Sequence, residues 1–149
     1  MGKVKYMKKI IKLVLVLIWM AFIFMMSTNI GSNENTIGLF EKILYMFPLK
    51  IDDNLFQLLH FIFRKGAHIF EYFIPGILLI SLLKEYRLKR NKIILITIEI
   101  AFIFACFDEV HQCFVLSRSG NVFDIGYDFV GAFFSSFLYY ILYKKKSSF

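Results

Sequence analysis

Cysteine is scarce in this sequence, and several common functional motifs are missing. The 149 residues include two cysteines, Cys106 and Cys113, which make no disulfide framework. They stand seven positions apart in an apolar stretch, so we predict that they are small packing residues on one helix face. There is no Gly-x-Ser-x-Gly elbow, glycine-rich phosphate loop or nucleic-acid-binding motif. These absences argue against the enzymes and nucleic-acid-binding proteins that depend on them.

Acidic residues are also few, with 11 Asp and Glu against 18 Lys and Arg, and apolar residues dominate. The hydrophobic fraction is 58% and the mean hydropathy is +0.64, whereas soluble domains contain about 45–50% apolar residues. The apolar excess is concentrated in blocks rather than spread along the chain. The sequence therefore predicts an all-α, polytopic membrane protein.

Four apolar blocks are long enough to cross a bilayer, which takes about 20 residues as a helix. We predict spans at about 10–26, 66–83, 93–115 and 125–143, within a single membrane domain of residues 1–149. The first block has a basic start, as a signal peptide has, but no small-x-small cleavage site follows it. We therefore predict that it is an uncleaved span.

The distribution of charge predicts the orientation of these spans. Most of the basic residues lie in three segments: the N-terminus, the link between spans two and three, and the C-terminus at Lys144, Lys145 and Lys146. Four spans put all three segments on one side, which the positive-inside rule assigns to the cytoplasm. Most of the acids lie on the opposite, outer side. The expected localisation is the cell membrane, multi-pass, with both termini cytoplasmic.

The segment 27–65 between spans one and two is predicted to lie outside. Its amphipathic part suggests one or two interfacial helices. Asp53 or Asn54 would cap a helix that begins at Leu55, and Pro48 would interrupt any earlier helix. His60, in the second helix, is interpreted as a packed or partly exposed histidine.

Ionisable residues form three stripes at helical spacing. Each stripe lies at the predicted outer end of a span, so the three are expected to face each other. They comprise Arg64, His68, Glu71 and Pro75, flanked by Lys65 and Tyr72, on span two; Asp108, His111 and Gln112, with Glu109 to one side, on span three; and Asp124, Asp128, Gly131 and Ser135 on span four. The basic partners expected for the acids are Arg64, Lys65 and Arg118.

Two interpretations of this constellation remain open. It is either an ion-pair network that holds the helices in register or a polar pocket that opens to the outside. We favour the pocket, because buried ion pairs add little stability compared with apolar packing. The predicted ligand-binding residues are Arg64, Lys65, His68, Glu71, Tyr72, Asp108, Glu109, His111, Gln112, Arg118, Asp124 and Asp128.

Three kinds of chemistry are compatible with such a pocket. A histidine beside a carboxylate would serve as a general base, and the candidate catalytic residues are His68, Glu71, Asp108, Glu109 and His111. Two pairs at i, i+3, His68 with Glu71 and Asp108 with His111, would suit a metal. The signal is weak, and we predict neither a metal nor another cofactor. A proton-coupled carrier is a further alternative, for which only Glu99 gives a hint.

These residues resemble the VanZ-like family. The resemblance rests on "STNIGS" after span one, "RKGAHIFEY" in span two, and "DEVHQCFVLSRSGNVFDIGYDFVGA" across spans three and four. The family pattern falls on Arg64, Lys65, His68, Tyr72, Asp108, Glu109, His111, Gln112, Phe114, Arg118, Asp124, Asp128 and Gly131. The chain departs from it before Arg118, where many members have Pro-Gly, and at Asp128, where many have Asn.

The resemblance implies a bacterial cell-envelope protein connected with low-level resistance to teicoplanin-type lipoglycopeptides. Together with the pocket, it suggests binding or modification of a surface molecule, either a lipoglycopeptide or a lipid-linked wall precursor. The alternatives are a membrane-embedded enzyme that acts on a lipid-linked substrate and a proton-coupled carrier. Membrane lipids are the expected partners, and no nucleic acid is expected.

Overall fold

The computed structural model describes residues 2–47, 51–118 and 120–146. Within these ranges the chain forms five α-helices and no strand. The helices are α1 (Gly2–Met26), α2 (Asn33–Leu44), α3 (Asp53–Lys84), α4 (Arg90–Cys113) and α5 (Val122–Lys146), and a 3₁₀ helix (Asn29–Gly31) precedes α2. The all-α prediction is confirmed for this part of the chain.

Three of the helices are long and apolar enough to cross a membrane: Lys3–Met26, Asp53–Lys84 and Val122–Tyr143. They also present apolar side chains on the outside of the bundle, such as Leu17, Ile18 and Phe133, where a soluble protein would bury them. Helix α4 falls short of the same criterion, because acidic residues interrupt its apolar sequence. The fourth span therefore stays a prediction.

The sequence predicted an interfacial helix followed by a second span from residue 66, and this division is wrong. The chain from Asp53 to Lys84 is one helix of 32 residues. Its N-cap is Asp52, rather than Asp53 or Asn54, and the Asp52 Oδ1 accepts the backbone N–H of Leu55 at 2.7 Å. No proline and no Ser, Thr, Asp or Asn cap stands between Leu55 and the apolar block that begins at Gly66, so one helix forms where two were expected.

Helix α2 is a separate helix in the segment between α1 and α3, as the sequence predicted for at least one element there. The Ser32 side chain caps it by accepting the backbone N–H of Asn35 at 3.3 Å. Helix α2 packs on the N-terminal part of α3, where His60 is buried against Phe40. The packed interpretation of His60 is confirmed, whereas the predicted effect of Pro48 lies outside the described residues.

Helix α3 is the centre of the bundle and packs against α1, α4 and α5. One apolar core lies near the middle of the bundle and another toward the end where α3 finishes. The first contains Ile23, Tyr72, Ala101, Ala105 and Ala132, and the second contains Val16, Leu79 and Leu82. Small residues on α4 and α5 let these helices approach α3, which is how the polar residues described next come together.

Candidate functional site

Buried polar side chains collect at the end of the bundle where α1 and α4 finish and α5 begins. Helix α3 passes this end and contributes a residue from its interior. We call these residues the polar cluster: His68, Asp108, Glu109, Gln112, Asp124 and Asp128, each of which is at least nine-tenths buried. They come from α3, α4 and α5. The structure thus brings together residues of all three stripes in the sequence.

Helices α3 and α5 meet through a histidine between two aspartates. The Nδ1 of His68 lies 2.9 Å from Oδ1 of Asp128, and its Nε2 lies 3.6 Å from Oδ2 of Asp124. Asp124 also forms an ion pair with Lys65. Lys65 is therefore the one predicted basic partner that reaches an acid of the cluster.

This contact depends on close approach of the α3 and α5 backbones. A Cβ atom on Gly131 would overlap the carbonyl oxygen of Ile69 and lie 2.9 Å from the backbone nitrogen of Phe73. A Cβ on Gly76 would likewise overlap the Ser135 side chain. Small residues permit such packing between membrane helices, and here they set the distance between His68 and Asp128.

The end of α4 is joined to the loop before α5 by side-chain hydrogen bonds. The Nε2 of Gln112 donates to Oδ2 of Asp108 at 2.9 Å, while its Oε1 accepts Nη2 of Arg118 at 2.9 Å. The Oε2 of Glu109 accepts the backbone N–H of Asn121 at 2.7 Å. These bonds fix the loop against α4 and turn the Arg118 side chain toward the cluster.

A small cavity of about 50 Å³ lies between α1, the start of α2, α3 and α4. Its polar lining includes six of the predicted ligand-binding residues, namely Arg64, His68, Glu71, Asp108, Gln112 and Arg118. Because a water molecule occupies about 30 Å³ of liquid, the cavity has room for one or two waters or a small polar group.

The two arginines of the cavity are bonded to neutral amides. Arg64 Nη1 donates to Oδ1 of Asn33 at 2.8 Å, and Arg118 donates to Gln112. In the described part of the chain, neither guanidinium forms an ion pair within 4.0 Å. The expected pairing of Arg64 and Arg118 with acids is therefore not found, because the amides hold both groups at the edge of the cluster.

Arg118 also carries an electrostatic strain. Burial lowers its pKa, and the positive charge of Arg64 lowers it further, against the opposing effect of Asp108 and other acids. Burial and a neighbouring like charge both disfavour the charged form. A bound anion near Arg64 and Arg118 would offset the repulsion between the two guanidinium groups.

The end of α1 contributes residues that the sequence analysis did not assign. The Ser27 Oγ lies 3.1 Å from Nδ1 of His111, and Trp19 Nε1 donates to the carbonyl oxygen of Glu71 at 2.9 Å. His111 packs against Phe24, with ring centroids 4.1 Å apart and the rings tilted by 32°. The only sequence signal for Ser27 was its place at the start of the "STNIGS" motif.

Several predicted site residues lie beside the cavity rather than on it. Tyr72 is 1% exposed and belongs to the apolar core. Lys65, Glu109, His111, Asp124 and Asp128 surround the cavity without lining it. The structure thus divides the predicted set into six residues that line the cavity and six that do not.

Four buried oxygen atoms around the cluster have no hydrogen-bond partner among the described residues. They are Tyr72 Oη, Asp108 Oδ1, Glu109 Oε1 and Asp128 Oδ2. Leaving a buried polar group without a partner costs about 1–3 kcal/mol, and more for a charged one. Such a concentration of buried oxygens without partners is unusual in a folded protein.

The fold and the cluster define a class of protein: a helical membrane protein with a polar site at one end of its bundle. The VanZ/LLP1 family model matches residues 12–143, which is most of the chain. The chain therefore belongs to the VanZ/LLP1 family, as the motifs of its helices predicted. No curated protein and no solved structure matches it.

Proposed function

We propose that this chain is a multi-pass protein of the bacterial cell membrane whose polar cluster faces the outside. In this arrangement α4 is the fourth span and both termini are cytoplasmic. The two ends of the bundle differ in charge, and this difference supports the proposal. The acids of the polar cluster are at one end, while Lys9, Lys84 and Arg90 are at the other, each over a tyrosine ring. Basic residues and aromatic anchors are typical of a cytoplasmic interface.

The polar cavity then binds the anionic group of a membrane-anchored surface molecule. The observation that carries this proposal is the pair Arg64 and Arg118, which line one cavity and donate to neutral amides. Each guanidinium has further N–H donors for an anion. Arginine suits phosphate and carboxylate because its planar fork donates two parallel hydrogen bonds.

The size of the cavity favours a lipid-linked wall precursor over a whole lipoglycopeptide. A volume of about 50 Å³ accepts a single phosphate-sized group, while the remainder of the ligand stays in the membrane or above it. A polyprenyl pyrophosphate has such a group next to its lipid chain. In this proposal Gln112 orients Arg118, and Lys65, Asp124 and Asp128 fix His68 at the cavity wall.

Binding is tested with the purified protein in nanodiscs and a polyprenyl pyrophosphate as the probe. Arg64→Gln and Arg118→Gln should each weaken binding by about tenfold or more, since hydrogen bonds to charged groups contribute about 1.5–3 kcal/mol. The matched control is Arg87→Gln, which removes an arginine at the opposite end of the bundle. Equal affinity for the neutral polyprenol, or unchanged affinity in both cavity variants, would contradict the proposal.

The family's connection with resistance is tested in cells. A host that expresses the chain should show decreased susceptibility to teicoplanin-type lipoglycopeptides, and Arg64→Ala or Asp108→Ala should abolish this effect. Membrane levels of each variant are measured by immunoblotting. A variant that reaches the membrane normally and keeps the full phenotype would show that the cavity is not required for resistance.

A second candidate function is catalysis, which the His68–Asp128 contact of 2.9 Å favours. Both side chains are buried, and a carboxylate that orients an imidazole is the usual arrangement of a general base. His68 would take a proton from a water in the cavity. Incubation with a lipid-linked precursor and mass spectrometry tests this idea, and absence of any product, with or without divalent metal, would count against it.

A further inference from the structure

One side chain from each of α3, α4 and α5 converges on a single point within the polar cluster. His68, Glu109 and Asp128 each offer a donor atom, and these three atoms lie within 4.8 Å of one another. All three residues are buried. They lie far apart in the sequence, and two of the three are acids from different helices, so only the packing of the bundle puts them together.

Two of these side chains are only half satisfied. Oε2 of Glu109 accepts the N–H of Asn121, and Oδ1 of Asp128 contacts His68. The other oxygen of each carboxylate, Oε1 of Glu109 and Oδ2 of Asp128, has no partner in residues 2–47, 51–118 and 120–146. Glu109 is 4% exposed and Asp128 is 0% exposed, so bulk water does not compensate for the missing bonds.

The neighbouring cations are already engaged elsewhere. Lys65 is paired with Asp124, and Arg118 donates to Gln112. Apart from the imidazole of His68, which contacts Asp128 at 2.9 Å, no ion pair within 4.0 Å reaches Glu109 or Asp128 among the described side chains. Two buried carboxylates at this range disfavour each other's ionisation, and a divalent cation between them would balance both charges.

We propose that His68, Glu109 and Asp128 bind a divalent transition-metal ion of the Zn²⁺ or Mn²⁺ type. An imidazole nitrogen with carboxylate oxygens suits these metals, whereas Ca²⁺ and Mg²⁺ prefer sites made of oxygen alone. Three protein ligands leave further coordination positions for water or an anion, as in sites where a metal meets a substrate.

The surroundings of His68 fit this role. A metal-bound histidine usually holds its second ring nitrogen against a carboxylate, and Nε2 and Nδ1 of His68 face Asp124 and Asp128 respectively. Donors around a tetrahedral ion with bonds of about 2.1 Å lie roughly 3.4 Å apart. Rotation of the long Glu109 side chain would close the remaining gap.

This site differs from the expectations drawn from the sequence, which predicted no metal and considered only His68 with Glu71 and Asp108 with His111 as weak pairs. Glu109 was assigned to the side of its stripe, and its contact with α5 was not predictable from one helix. The proposal stands apart from the proposed anion binding, because metal content can be measured without any lipid ligand.

Metal content of the full-length purified protein is the test. The protein in detergent is stripped with EDTA, loaded with Zn²⁺ or Mn²⁺, desalted and measured by inductively coupled plasma mass spectrometry. The wild type should retain about one ion per chain and melt at a higher temperature when loaded. Glu109→Gln and Asp128→Asn should weaken metal binding by at least about tenfold, in line with the loss of a ligand.

Glu99→Gln is the matched control, since it removes a glutamate from the exposed face of the same helix α4. It should bind metal as the wild type does. X-ray absorption of the zinc-loaded wild type provides a second measurement that does not depend on the folding of any variant. A first coordination sphere without a nitrogen donor, a wild type that retains no ion, or a monodisperse Glu109→Gln protein with wild-type affinity would each overturn the proposal.

Discussion

Gly131 is the residue on which the geometry of the polar cluster most directly depends. Its missing side chain lets α5 lie against the backbone of α3 at Ile69, one turn below the contact between His68 and Asp128. Nothing comparable surrounds Gly126 on the same helix, where an added Cβ would have no neighbour within 4 Å. Substitutions at these two glycines therefore distinguish the effect of helix packing from the effect of helix propensity.

We expect Gly131→Ala to destabilise the protein by about 1–3 kcal/mol, because α3 and α5 must separate to accept the methyl group. Gly126→Ala should be neutral or stabilising by up to about 1 kcal/mol, since alanine favours a helix more than glycine does. Thermal unfolding in detergent measures both. Equal effects of the two substitutions would show that the close contact is not important for stability.

At the level of single residues, helical spacing predicted much of the cluster. His68, Asp108, Gln112, Asp124 and Asp128 were assigned to facing stripes, and all five are buried together. Their partners could not be predicted, because spacing along one helix does not determine which neighbouring helix it faces. Tyr72 illustrates this limit, since it flanks the stripe in sequence but lies in the apolar core.

The turn between α3 and α4 contains the one non-glycine residue of the described chain with a left-handed backbone, Arg87, at a φ of 55°. Helices commonly end at such a residue, and glycine is the usual choice because it has no Cβ. A side chain there costs about 1–2 kcal/mol. The element thus carries a local strain that a substitution can remove.

Arg87→Gly should raise the melting temperature, whereas Arg87→Ala should not, because alanine keeps the Cβ that disfavours this conformation. Comparing the two variants distinguishes the relief of backbone strain from the loss of the arginine charge. Differential scanning fluorimetry in the same detergent is sufficient. A similar increase for both variants would assign the effect to the charge instead.

Helix α1 is connected to the end of α3 by an ion pair, with Lys12 Nζ 2.5 Å from Oε1 of Glu85. The hydrogen bond from Lys12 lowers the pKa of Glu85 below its ordinary value. A carboxyl group with a lowered pKa in the folded state adds stability above its unfolded pKa of about 4.3, and this stability is lost as the pH falls through the folded value.

Lys12→Met should therefore lower the stability at pH 7, and the difference from the wild type should diminish as the pH falls below about 4. Urea or thermal unfolding across this pH range measures the change. The control is Lys3→Met, which removes an exposed lysine of the same helix. A difference that does not depend on pH would mean that Lys12 acts through its hydrogen bond to the Ser81 carbonyl oxygen and through packing, rather than through Glu85.

The helices differ in how well their boundaries can be predicted from the sequence. The apolar blocks predicted spans inside α1 and α5, but the amphipathic segment before residue 66 was expected to form a separate interfacial helix from Leu55, whereas it is part of α3. Amphipathic and apolar segments can form one helix if no capping residue or proline separates them. Residues 53–84 contain Pro75, yet the helix continues through it, so neither signal divides the segment.

For the whole molecule, the proposed orientation in the membrane rests on the charge asymmetry, and labelling of Cys113 tests it. Cys113 is exposed at the end of α4 beside the polar cluster. In cells that express the Cys106→Ser protein, a membrane-impermeant maleimide should label Cys113 without permeabilisation. Arg87→Cys in a protein without other cysteines should be labelled only after permeabilisation, since it lies at the opposite end. The reverse pattern would contradict the proposed orientation.

The length of α3 has a further consequence for the lipid around the protein. From Lys84 to His68 the helix rises by about 24 Å, at 1.5 Å per residue, whereas the hydrocarbon core of a bilayer is about 30 Å thick. With Lys84 at the cytoplasmic boundary, the polar cluster lies several ångströms below the outer headgroups. A headgroup that reaches it must sink beneath its neighbours, or the bilayer must become thinner there. In the proposed orientation, the affinity for the proposed ligand should therefore depend on the acyl-chain length of the host membrane.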